Sequence, residues 1–281
     1  MDKVILDKNL SFIERVIKEL PPMVGFSNPK EILWLVFGSY VINMNTTDSD
    51  IDIIGIHDSF IGKKRRITIY QNVPIHLTAI TMSDLKDDGE SRLYGGYFSG
   101  KIINPHVFLY GNQKSKDDAI YHAGKFIGPL AGYLGSLSLH ASFSPSQVTA
   151  LVFVAYLSTD PSFDSYFLNY FVSSNFEKIW ESLCEATVSM LKVSESIQSL
   201  EDMYIFKHKF SDYKSFHSER MKISARHWSY GAVCHDGDRK FQDKIFDKAE
   251  ERIKKVDPTG KKYKEMVTFL QQESGLSDIY V

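Results

Sequence analysis

The residues with the clearest chemical potential lie between Leu33 and Ile56, LWLVFGSYVINMNTTDSDIDIIGI. Asp50 and Asp52 are two apart in a run that reads as a strand, so both carboxylates point to one face. Two adjacent carboxylates repel, and a divalent cation relieves that repulsion. Upstream stand Gly38 and Ser39. Gly38 carries no Cβ, so a ligand can approach the backbone closely. Ser39 is positioned to open a helical turn whose free N–H groups would receive an anion. Carboxylates beside an anion cradle suit a divalent metal together with a polyphosphate. Asp48 is out of phase with the pair and is assigned no metal.

The positioning elements follow from the apolar pattern. Ile32–Phe37 and Ile51–His57 read as two strands, joined by a tight turn, a short helix and a loop. Lys63-Lys64-Arg65-Arg66 reads as a solvated basic loop between strands, able to steer an anionic ligand. Ile67–Tyr70, Gln71-Asn72 and Val73–Thr81 read as a hairpin. His76 and Thr78 share one face of its second arm. Two readings of His76 stay open: a strand histidine satisfied by a neighbour, or a metal ligand or general base with a pKa near ~6.5. Lys101, in an apolar piece before the Val107–Gly111 strand, either reaches phosphate or snorkels to the surface.

The strand, Gly38-Ser39, spacer, Asp50-x-Asp52, strand pattern resembles the nucleotidyltransferase superfamily typified by DNA polymerase beta and the bacterial antibiotic adenylyltransferases. The resemblance covers Leu33–Ile56 and extends more loosely to Gly111. It implies Mg²⁺ or Mn²⁺ at Asp50 and Asp52, a nucleoside triphosphate donor with ATP as the default, and Gly38, Ser39, Ser49 and Lys101 as nucleotide-binding residues. Asp50, Asp52 and His76 become the catalytic set. The family's third carboxylate has no counterpart here, because Ile75-His76-Leu77-Thr78 occupies its place. The acceptor is expected to be a small molecule or a protein rather than RNA. The competing expectations are a nucleotide-binding module that has lost catalysis and a toxin-like enzyme acting on transfer RNA. A third is that the motif is a coincidence in an unrelated α/β protein.

Length and composition bound these readings. The 281 residues suffice for one large or two ordinary domains. A net charge of −2 gives no global electrostatic footprint for nucleic acid. Cys184 and Cys234 lack metal-type spacing and imply a reducing compartment. The N-terminus has no signal-peptide pattern and no apolar window suits a bilayer, which predicts a cytoplasmic protein without a membrane partner. Oligomeric state stays open.

Helices are expected from a capping box at Ser11-Phe12-Ile13-Glu14, over 117–127 with a break or kink at Pro129, and from Ser144-Pro145-Ser146-Gln147. Others are expected from Asp160-Pro161, from a capping box at Ser174-Asn175-Phe176-Glu177, around Phe241–Ile253 and over 261–273. Asp84, Asp87, Asp88 and Glu90 read as a helix start or solvated loop. The fold class expected is α+β: a nucleotidyltransferase core over 1–115 with a small mixed sheet, then an α-helical domain over 116–281. The cleft is expected between the two.

Overall fold

The computed structural model describes residues 9–47, 49–62, 64–235 and 237–277. Asp48, Lys63 and the first eight residues, on which parts of the sequence reading rest, lie outside them. The fold is α+β, with a five-stranded mixed sheet in the N-terminal half and a helical C-terminal region. Two compact units divide the chain. The first holds 1–91 and 98–123; the second holds 92–97 and 124–281.

In the first unit, α1 (Leu10–Glu19) precedes β1 (Leu33–Phe37), β2 (Ile51–Ile56), β3 (Lys64–Tyr70) and β4 (Val73–Ile80). Then come α2 (Met82–Glu90), α3 (Ser99–Ile103) and β5 (His106–Tyr110). The strand order is β3-β4-β2-β1-β5. All pairs are antiparallel except β2 with β4, which run parallel. One sheet face carries Trp34, Val36, Ile51, Ile53, Ile75, Leu77, Ala79 and Val107. Ile13, Val16 and Ile17 of α1 join the same buried cluster at 3.6-residue spacing. The hydrophobic effect fixes the strand register there, because a one-residue slip would turn this face to water. The other face carries Leu35 and Ile54, also buried.

Several expectations change here. The N-cap of α1 is Asn9, and neither it nor Ser11 supplies a side-chain cap bond. Asn9 instead donates from Nδ2 to the Tyr40 carbonyl at 2.8 Å, tying α1 to the loop after β1. The segment after Ser39 forms hydrogen-bonded turns and no helix, so no helix dipole backs the anion cradle expected there. Lys64-Arg65-Arg66 is the first half of edge strand β3, not a loop. The hairpin is longer than expected because β3 begins at Lys64, while its turn falls at Gln71-Asn72 as expected, both at positive φ, 48° and 67°, matching the twist of antiparallel arms. Asp84 completes a capping box with Thr81. Asp88 is fully buried, and its Oδ2 accepts from the N–H groups of Phe98 at 3.0 Å and Ser99 at 2.8 Å.

α4 (Gln113–Leu137) runs without interruption through Pro129, and the boundary between the units falls inside it, after Ala123. In the second unit follow α5 (Pro145–Leu157), α6 (Asp164–Phe171) and α7 (Phe176–Val193). A hairpin of β6 (Ile197–Leu200) and β7 (Met203–Phe206), absent from the sequence reading, precedes α8 (Tyr213–Cys234), α9 (Phe241–Val256) and α10 (Lys261–Ser274). The cap of α5 is as expected, with reciprocal bonds between Ser144 and Gln147. At α7 the N-cap Asn175 makes no side-chain cap bond, so the expected box at Ser174 does not form. Asp160-Pro161 opens a single 3₁₀ turn that leads into α6. α5 is buried on all sides from Val148 to Leu157, as its continuous apolar sequence requires. α4 tolerates Pro129 because packing fixes its path. Backbone and side chains of the second unit lie so close to Gly124, Gly128 and Gly132 that any Cβ would collide.

Candidate metal centre

The strand register builds the site. Phe37 of β1 pairs with Asp52 of β2, which pairs with His76 of β4, which pairs with Ile67 of β3. Paired residues share a face, so this row lies on the side of the sheet opposite the α1-packed core. Asp50, two residues before Asp52, points the same way. His76 Nδ1 lies 3.3 Å from Asp50 Oδ2 and 3.5 Å from Asp52 Oδ1. One ligand atom from each of the three residues falls within 4.8 Å of the others. The side chains remain 46, 38 and 27% exposed for Asp50, Asp52 and His76, so solute can reach them.

The three residues therefore form a group able to hold a metal ion. The donor set fits a divalent cation: two carboxylates supply hard charged oxygens and one imidazole a borderline nitrogen. The imidazole shifts the preference from Mg²⁺ toward Mn²⁺ or Zn²⁺.

The pKa of His76 is raised, first by its hydrogen bond to Asp52 and then by the charges of Asp52 and Asp50. Partial burial and the charge of Arg65 oppose that rise. A proton on His76 thus relieves the carboxylate repulsion, as a metal ion would. This changes the sequence expectation of a base with an ordinary pKa near ~6.5. An imidazole that holds its proton more tightly is a poorer free base at neutral pH, and a cation must displace that proton to use the nitrogen.

Gly38 adjoins the group. Its φ is +88°, and a Cβ built there would lie 3.7 Å from Asp52 Oδ2. Glycine is required more by the backbone angle than by crowding. The Val41 N–H donates to the Gly38 carbonyl at 3.1 Å and the Met44 N–H to the Ser39 carbonyl at 2.9 Å, which closes the turn. Ser49 serves its own loop: its hydroxyl accepts from the Thr46 N–H at 2.8 Å. Lys101 Nζ stands 5.3 Å from the centroid of the Phe37 ring, a cation–π contact on the face that carries Asp52. Of the residues named from sequence, the fold gathers Asp50, Asp52, His76 and Gly38 closely. Lys101 is reached through Phe37.

Two neighbours, Tyr40 and Asn9, are not singled out by the sequence, and a third, Arg65, belongs to the basic run expected to steer an anionic ligand. Tyr40 is buried, which pushes its phenol pKa up; the hydroxyl bonds Asn45 and feels the charge of Asp50. Asn9 gathers Tyr40, Asn43 and Asn45 through its side-chain amide. Arg65 acts on His76 across the β3–β4 pair. Only Arg65 left a sequence signal, the basic run, and its strand placement was hidden by the charges themselves.

Compared with protein-family models and with curated proteins, the chain matches none. Among the described residues, no helix is long and apolar enough to cross a membrane.

Proposed function

We propose that this chain is a metal-dependent nucleotidyltransferase. It would move a nucleoside monophosphate, AMP from ATP by default, to a hydroxyl of a small-molecule or protein acceptor. The acceptor oxygen forms a bond to the α-phosphorus, the bond to the bridging oxygen breaks, and pyrophosphate leaves with its electron pair. The carrying observation is the convergence of Asp50, Asp52 and His76 within 4.8 Å on the strand pair that follows Gly38-Ser39. When bound, Mg²⁺ or Mn²⁺ would neutralise phosphate charge and acidify the attacking hydroxyl. Asp50 and Asp52 hold that charge in place. His76 either completes the donor set or, once deprotonated, accepts the proton of the hydroxyl. Gly38 leaves the backbone open to phosphate, and Lys101 adds positive charge on the same face. The near-neutral net charge supports a small-molecule or protein acceptor over RNA.

One observation favours a second reading, a nucleotide-binding module without turnover. His76 pairs with Asp52 at the position where the resembled family carries its third carboxylate. Incubation with each α-labelled nucleoside triphosphate and Mn²⁺ or Mg²⁺ separates the two. Pyrophosphate release with a labelled product, absent in Asp50→Asn/Asp52→Asn, supports transfer. Metal-dependent nucleotide binding without release supports the module. Neither binding nor release removes both readings.

A further inference from the structure

β3 is the outer strand of the sheet, and among the described residues no strand lies beyond it. It is seven residues long and contains no proline. Ile67 and Ile69 are 63 and 70% exposed. An open strand of this kind presents unpaired N–H and C=O groups to any extended chain. Edge strands are commonly guarded by charges spread along them. Here the charges are confined to Lys64-Arg65-Arg66, and Ile67-Thr68-Ile69-Tyr70 has none. Arg65, Ile67 and Ile69 alternate onto one face, the one that carries His76, and Arg66 lies on the other.

We propose that the outer edge of β3 takes an extended segment of a partner protein as an additional antiparallel strand. Main-chain hydrogen bonds hold the segment, and side-chain pattern selects it. Antiparallel pairing sets its C-terminal half against Lys64-Arg65-Arg66, so that half is acidic. Its N-terminal half is β-branched and apolar at the positions opposite Ile67 and Ile69. Charge complementarity selects this occupant over a second copy of the chain. Two β3 strands paired antiparallel would set each basic end against an apolar end and leave both basic runs unmatched. The inference stands on the edge alone and does not depend on the proposed chemistry.

The probe is a fluorescein-labelled heptapeptide, Thr-Val-Thr-Val-Glu-Glu-Glu, titrated with the full chain and read by fluorescence anisotropy. Saturable binding is expected. Replacing glutamate by lysine should weaken it about tenfold, as should N-methylation at alternate residues. Arg65→Glu with Arg66→Glu should invert the preference toward the lysine peptide, with an unchanged far-UV circular dichroism spectrum. No saturable binding overturns the inference, as does binding indifferent to charge reversal or to N-methylation. A dimer in sedimentation that Ile67→Lys dissolves would give the edge to a second copy and also overturn it.

Discussion

His76 and His227 both stand beside aspartate, in different units of the chain and in opposite surroundings. His76 meets two carboxylates, and all three side chains stay partly open to water. His227 is buried in α8, with its Nε2 3.7 Å from Asp160 Oδ2. Its Nδ1 lies 3.2 Å from the Gly95 carbonyl, which can only accept, so that nitrogen carries the hydrogen. Asp160 also accepts from the Ser162 hydroxyl at 2.6 Å. The buried grouping is enclosed by protein, and its Nδ1 hydrogen bond holds loop 92–97 to α8. The open one sets two carboxylates beside one imidazole. The same kinds of side chain are enclosed by protein in one place and stay within reach of solute in the other.

The largest test of that contrast is removal of the buried partner. His227→Ala leaves Asp160 buried without its imidazole and should cost about 3 kcal/mol in urea unfolding. A cost below about 1 kcal/mol would erase the distinction between the two groupings. Gly132→Ala, also in the second unit, tests the same close packing without charge. Its Cβ would fall 2.2 Å from the His208 carbonyl oxygen, and about 2 kcal/mol of stability should be lost.

In the open grouping the expected stability effect is small and the binding effect large. Asp50→Asn with Asp52→Asn should change the unfolding free energy by no more than about 0.5 kcal/mol. The same variant should abolish the heat of Mn²⁺ binding in titration calorimetry; an unchanged isotherm would remove the candidate centre. It should also lower the imidazole pKa of His76 in an NMR titration, because the groups that raise it lose their charge.

The smallest effect expected is a pH slope of opposite sign elsewhere in the first unit. The folded-state pKa of His122 is lowered, chiefly by burial, despite Glu90 Oε1 at 3.2 Å. Its contribution to stability is therefore complete above the unfolded value near ~6.5 and lost as pH falls through the folded one. For His76 the folded value is raised, so its contribution is complete below ~6.5 and lost as pH rises through the folded value. Urea midpoints from pH 5 to 8 should lose the acid-side slope in His122→Gln and keep the alkaline-side one.

Much of the first unit was legible because its signals are local. The apolar runs around Gly38 and Asp52 gave the strands, and Gln71-Asn72 marked the hairpin. The Asp50–Asp52 phase followed from strand periodicity. Partnership of His76 with the aspartates depended on parallel pairing of β2 with β4, a nonlocal fact with no local signature. Charge disguised the start of β3, where Arg65 and Arg66 look like loop but sit on an edge that tolerates them. At Pro129 the expectation of a break fails for the opposite reason. Local propensity says break, while tertiary packing around the α4 glycines carries the helix onward. The β6–β7 hairpin went unread because its four-residue strands offer too little alternation.

The parallel seating of β4 on β2 also bears on how the molecule assembles. The β3–β4 hairpin has a turn suited to early, local closure. Asp52 and His76 meet only when β4 pairs with β2, and such nonlocal pairing is slower than closure of a local turn. Cation affinity should therefore emerge only after that step in refolding, which would make it a kinetic reporter of the parallel β2–β4 seam.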